Sequence, residues 1–245
     1  MKRSIKDLIG YTIQALDGPK GKVKDFLFDE ERWVVRYLEA DFGNLFKKKR
    51  VLIPRVFMMD PDWDNEEFPV NISGEEVEDC PDLEEKMPVS REYEKELSRH
   101  YRVDFYWADA YSAAAAARYF PPRPLRIPSK KLSEKDLDTS LRSFREVKDY
   151  TIRAIDDTLG HVEDLIVDDD DWQIVYLIVD TSNWLPWSKK VLLPLEFIKE
   201  ISYVDRKVAI ALHTETIKNA PEYDVDKPVE MDYEKALYDF YKNIK

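Results

Sequence analysis

Apolar residues come in short runs separated by turn-forming clusters, not in long helical stripes. Tyr11 to Ala15 alternates ahead of the turn Asp17-Gly18-Pro19; Lys22 to Phe28 follows, then Asp29-Glu30-Glu31, then Trp33 to Ala40. The same order returns as Thr151 to Ile155, a turn at Asp156-Asp157, His161 to Val167, the acidic turn Asp168 to Asp171, and Trp172 to Val179. Turns at intervals of about 8–12 residues predict the short strands of a small sandwich or barrel. Ile174 to Val179 is apolar on both faces, which predicts a central strand. Lys49 to Ile53 and Lys190 to Leu193 each run into a proline, which cannot donate to a ladder. Phe68 to Ile72 and Lys207 to Leu212 predict one more strand in each half, followed by a helical turn that in the first half has the capping spacing Ser73-Gly74-Glu75-Glu76. Ala113 to Ala117 favours a short helix, and helical periodicity marks Ser90 to Tyr101 and Asp232 to Tyr241. Their stripes Tyr93, Leu97, Tyr101 and Tyr233, Leu237, Tyr241 are expected to pack on their own halves.

The two halves are copies. An offset of 139 places Tyr11, Thr12, Ile13, Ala15, Asp17, Gly21, Val23, Asp25, Trp33 and Asp41 on the identical Tyr150, Thr151, Ile152, Ala154, Asp156, Gly160, Val162, Asp164, Trp172 and Asp180. One extra residue between Asp180 and Lys190 changes the offset to 140. Val51, Leu52, Pro54 and Phe57 then fall on Val191, Leu192, Pro194 and Phe197, and Pro81, Tyr93 and Tyr101 fall on Pro221, Tyr233 and Tyr241. A repeat of this length is a duplicated domain rather than a solenoid unit. The expected layout is repeat 1 over 1–101, a linker over 102–143 and repeat 2 over 144–245. The linker joins Ala113 to Ala117 with Pro121-Pro122-Arg123-Pro124, and its aromatics Phe105, Tyr106, Trp107, Tyr111, Tyr119 and Phe120 are expected to dock. Two separate, similar barrels follow, with Trp33 matching Trp172 and Pro54 matching Pro194. A long linker also permits exchange of like elements between chains.

Composition narrows the function. The chain of 245 residues carries 38 Lys and Arg against 50 Asp and Glu, a formal net charge of −12. That balance argues against phosphate neutralisation and hence against a nucleic-acid partner. No apolar run reaches membrane-spanning length, and the opening residues lack the apolar core of a signal peptide. The single Cys80 cannot form an internal disulfide, in keeping with a reducing, cytoplasmic setting.

Candidate chemistry is sparse. His100, His161 and His213 stand far apart with no second His or Cys at ligand spacing, so no zinc site is expected and no metal is needed for folding. No nucleophile elbow or phosphate-cradling glycine loop occurs, and Cys80 precedes a proline in an acidic stretch with no cation beside it. No cofactor and no catalytic residue is expected. Asp168 to Asp171 lacks the spacing of a calcium loop and reads as an exposed turn. The informative surface is the loop after each long strand. Phe42, Leu45 and Phe46 precede Lys47, Lys48, Lys49 and Arg50, and Trp184 and Trp187 precede Lys189 and Lys190. Large apolar side chains beside cations suit either a lid over one barrel end or a docking surface for an acidic protein or an anionic membrane surface.

Leu159-Gly160-His161-Val162-Glu163-Asp164-Leu165-Ile166-Val167-Asp168, then Trp172, Tyr176-Leu177-Ile178-Val179-Asp180 and Val191-Leu192-Leu193-Pro194 resemble the PRC-barrel domain. Repeat 1 matches with Gly21 to Asp29, Trp33, Tyr37 to Asp41 and Val51 to Pro54. Asp149 stands where repeat 1 has Gly10, and Cys80-Pro81 stands where repeat 2 has Ala220-Pro221, which questions the local turns. The resemblance implies a mainly β protein of two tandem small barrels, each closed by a short amphipathic helix, that docks proteins without catalysis. One branch of the family, in a ribosome-maturation factor, suggests an RNA-processing accessory as a second reading. An enzyme or ligand-binding protein with a pocket between the repeats is a third. The partner expected is a protein, a second copy of the chain included, with peripheral membrane contact as a further option.

Overall fold

The computed structural model describes residues 1–42, 49–83, 89–104, 141–181, 189–242 and 244. It is mainly β. After β1 (Lys2–Ser4), repeat 1 comprises β2 (Thr12–Ala15), β3 (Gly18–Asp29), β4 (Val34–Asp41), β5 (Arg50–Pro54) and β6 (Glu67–Pro69). The antiparallel pair β3 and β4 is the backbone of the repeat, with Phe26 opposite Leu38 and Leu27 opposite Tyr37. β2 lies along β3, β5 lies along β4, and β6 runs parallel to β2. After β7 (Leu141–Ser143), repeat 2 follows the same plan with β8 (Thr151–Arg153), β9 (Thr158–Asp168), β10 (Gln173–Asp180), β11 (Lys190–Pro194), β12 (Ile198–Ser202) and β13 (Lys207–Ile210). Pro54 faces Tyr37 and Pro194 faces Tyr176, the matching register. β12 has no counterpart strand in repeat 1, where Pro61 removes an amide donor from the matching stretch.

Both questioned turns keep the repeat geometry. Gly10 has φ +96° and donates to Val23; Asp149 has φ +70° and donates to Val162. Aspartate enters the left-handed region more readily than most residues, so it substitutes for glycine here. Cys80 and Ala220 are both buried and each donates to the carbonyl three residues back, Val77 or Ile217. Ser73 caps its helix as expected by accepting from Glu76. The helices Arg91–Tyr101 and Met231–Lys242 bury Leu97, Tyr101, Leu237 and Tyr241.

Apart from β12, which the pattern does not predict, the strand plan of each repeat matches expectation, but the separation into two sheets does not. β1 pairs with β9 of repeat 2, β7 pairs with β3 of repeat 1, and β4 meets β10 at Val34 and Gln173, giving one 13-stranded sheet. Leu141–Ser143, at the end of the stretch expected to be linker, is therefore a strand. Linker aromatics 105, 106, 107, 111, 119 and 120 lie outside the described residues. The core runs across the junction. Trp172 stacks on Phe26 with ring centres 5.7 Å apart and packs on Phe68 at 5.5 Å, while Trp33 stacks on Phe28 at 5.4 Å.

Candidate functional site

Two reciprocal clasps hold the repeats together. The hydroxyl of Ser4, at the end of β1, donates to the Asp164 carboxylate of β9, which also accepts from the amides of Lys6 (3.1 Å) and Leu165 (2.7 Å). In the other direction Ser143, at the end of β7, donates to Asp25 of β3, which accepts from the amides of Arg145 (3.1 Å) and Phe26 (2.8 Å). Ser4 and Ser143 also accept from Asp7 and Glu146, starting a short turn on the far repeat. Burial pushes both carboxyls up against these donors, Asp25 to about 6 and Asp164 to about 7.

Beside each clasp a guanidinium lies over an aromatic ring. Arg142 stands 3.6 Å from the Tyr203 ring centre and forks onto Glu30 at 2.9 and 3.2 Å. Arg3 stands 4.4 Å from the Trp63 ring centre. Sequence reading missed these contacts, although Arg3-Ser4 and Arg142-Ser143 recur at the 139 offset.

The candidate docking loops leave the sheet through matching necks. Phe42 donates to the Lys49 carbonyl at 2.9 Å, and Thr181 donates to that of Lys189 at 3.0 Å. Gly21 and Gly160 both have positive φ, and a Cβ would stand 2.2 Å from the Asp41 carbonyl oxygen or 1.8 Å from that of Asp180, so only glycine passes under each neck. Leu45, Phe46, Lys47, Lys48, Trp184 and Trp187 lie outside the described residues. Phe42 is half-buried against the core. The described cations of the expected basic rim are used internally. Lys49 and Lys189 donate to the carbonyls of Glu78 and Lys218 at the ends of matching short helices. Arg50 pairs at 2.6 Å with the fully buried Glu39, and Lys190 stands 3.6 Å from Glu163.

The remaining candidates are scattered or filled. His100 lies 2.8 Å from the Glu76 carbonyl, and His213 lies 3.8 Å from Asp156. His161 lies 3.6 Å from Glu163. Cys80 is buried, and burial pushes its thiol up, away from the reactive thiolate. Asp168 and Asp169 of the acidic turn take the Met1 amine, and Asp168 accepts the Asp170 amide. Two surface clefts each lie within a single repeat. One, of about 340 Å³, is lined by Lys190, Glu222, Tyr223, Asp224 and Val225; the other, of about 460 Å³, is lined by Ser73, Glu75, Glu76, Asp79, His100 and Arg102. No helix among the described residues is long and apolar enough to cross a membrane.

Duplicated β units with this strand plan and glycine-gated necks define a tandem β-domain protein. The family model of the PRC-barrel domain matches residues 2–76 and 141–216, and the chain belongs to that family, in two copies. No curated protein matches the chain.

Proposed function

We propose that the chain is a non-catalytic docking or assembly module of the cytoplasm, whose loops 43–48 and 182–188 engage a protein partner. The observation that carries this reading is the pair of clasps. Through them loop 43–48, with Phe46, Lys47 and Lys48, and loop 182–188, with Trp184 and Trp187, leave one frame from equivalent necks, as suits a scaffold. The junction supports the non-catalytic part, because Phe26, Phe68 and Trp172 fill the place where an interdomain pocket would lie. Within each basic rim, Lys49, Arg50, Lys189 and Lys190 serve the fold, which leaves Lys47 and Lys48 as the cations for an acidic partner. A second copy of the chain and an anionic membrane surface are the competing occupants.

The test is the double variant Trp184→Ala, Trp187→Ala beside Lys47→Glu, Lys48→Glu. Both are expected to keep the wild-type melting temperature and to lose the protein retained on immobilised wild-type chain, the charge variant more at low salt than at high salt. Unchanged capture by both variants, or a melting drop of many degrees from the tryptophan pair, would show lids instead of docking loops.

A further inference from the structure

We propose that repeat 2 holds a binding site for one divalent transition-metal ion, built from His161, Glu163 and Asp180. His161 and Asp180 are cross-strand partners on β9 and β10, and Glu163 follows two residues after His161 on the same face. A ring nitrogen of His161 and one oxygen of each carboxylate lie within 4.8 Å of one another. Ligands about 2.1 Å from a tetrahedral ion stand roughly 3.4 Å apart. The His161 to Glu163 separation of 3.6 Å is near that already, and an Asp180 oxygen lies within 4.8 Å of both ligand atoms.

The two oxygens of Glu163 face different ways. Oε1 meets Lys6 and stands 3.6 Å from Lys190, while Oε2 faces the imidazole. The lysines thus hold the carboxylate from behind and leave the other oxygen to the ion, and their charge weakens the ion's hold. One imidazole with two carboxylates selects Zn²⁺, Co²⁺ or Ni²⁺ over Mg²⁺ or Ca²⁺, which favour oxygen alone. Three protein ligands leave a coordination position for water or for a donor from a partner. Lys190 borders both this group and the cleft at Glu222 to Val225, and Asp180 adjoins the neck of loop 182–188.

Repeat 1 provides the internal control. Its matching residues are Lys22, Lys24 and Asp41, with Lys24 3.8 Å from Asp41 and Lys22 bonded to Thr12. The same backbone carries an ion pair there, so the fold does not need the repeat 2 set, and His161→Lys reproduces a side chain already tolerated at that place.

The experiment is calorimetric titration of chelator-stripped full-length chain with Zn²⁺, together with visible spectra on adding Co²⁺. One equivalent is expected, with a Co²⁺ d–d band. His161→Lys and Asp180→Asn should each weaken binding about tenfold or more. Lys6→Met should tighten it by removing a competing cation, an effect absent if Glu163 merely anchors lysines. His213→Ala and Asp169→Asn should leave it unchanged. The proposal is overturned if the wild-type chain does not saturate, if His161→Lys binds as tightly as wild type, or if binding follows His213 or Asp169.

Discussion

Repeat 1 and repeat 2 share a backbone plan but not an interior. Where repeat 1 places Phe26, Phe28 and Phe68, repeat 2 places Leu165, Val167 and Val208. Trp33 and Trp172 occupy matching turns, both left-handed with φ +56° and +59°. Trp33 stacks within its own repeat on Phe28, whereas Trp172 crosses the junction to Phe26 and Phe68. A left-handed non-glycine residue costs roughly 1–2 kcal/mol, and here aromatic packing fixes it. Identical residues at identical positions have therefore taken unequal tasks, and one core spans both repeats.

That asymmetry can be broken by mutation. Trp172→Ala is expected to cost about 4 kcal/mol and Trp33→Ala less, because the former strips two aromatic neighbours from the opposite repeat. Urea melts followed by circular dichroism should show both repeats unfolding in one transition. Two separated transitions would contradict a shared core.

A second contrast sits at the loop necks. Arg50 pairs with Glu39, which is buried with one oxygen lacking a partner among the described residues. Repeat 2 has Ile178 and Lys190 at those places. Arg50→Ala strands a buried charge and is expected to cost about 3 kcal/mol, while Lys190→Ala should cost under about 1 kcal/mol. Equal losses in thermal melts would erase the distinction.

The clasps give the smallest and most diagnostic difference. Asp25 and Asp164 have folded values above those of an unfolded aspartate, so the folded chain binds their protons more tightly. Their contribution favours folding in acid and is lost as pH rises from about 4 through about 6 for Asp25 and about 7 for Asp164. Between pH 5 and pH 8 the loss amounts to about 3 kcal/mol for Asp164 and about 1 kcal/mol for Asp25. Asp164→Asn should flatten the pH dependence of the urea midpoint more than Asp25→Asn does. A steeper dependence in either variant would reverse the assignment.

The repeat and its strands were legible because strand periodicity and turn chemistry are local. The helix caps and proline stops were legible for the same reason. The reciprocal pairing was not. β1 and β7 are three residues long, below the length at which alternation carries a signal, and their partners lie about 160 residues away or on the other side of the linker. The basic rim was read as a surface because side-chain direction is invisible in sequence; only the fold turns Arg50 toward Glu39 and Lys49 toward Glu78. His161 was judged by its neighbours along the chain, but the residue that completes its group is the cross-strand Asp180.

The exchanged first strand also sets a schedule for synthesis. Ser4 leaves the ribosome 160 residues ahead of its acceptor Asp164. At about 5–20 residues per second that is a wait of roughly ten to thirty seconds. During it β1 lacks the β9 partner it has in the complete fold, and Phe26 and Phe68 lack the Trp172 ring that packs on them there. Until the second copy emerges, the first is a receptor waiting for its own sibling.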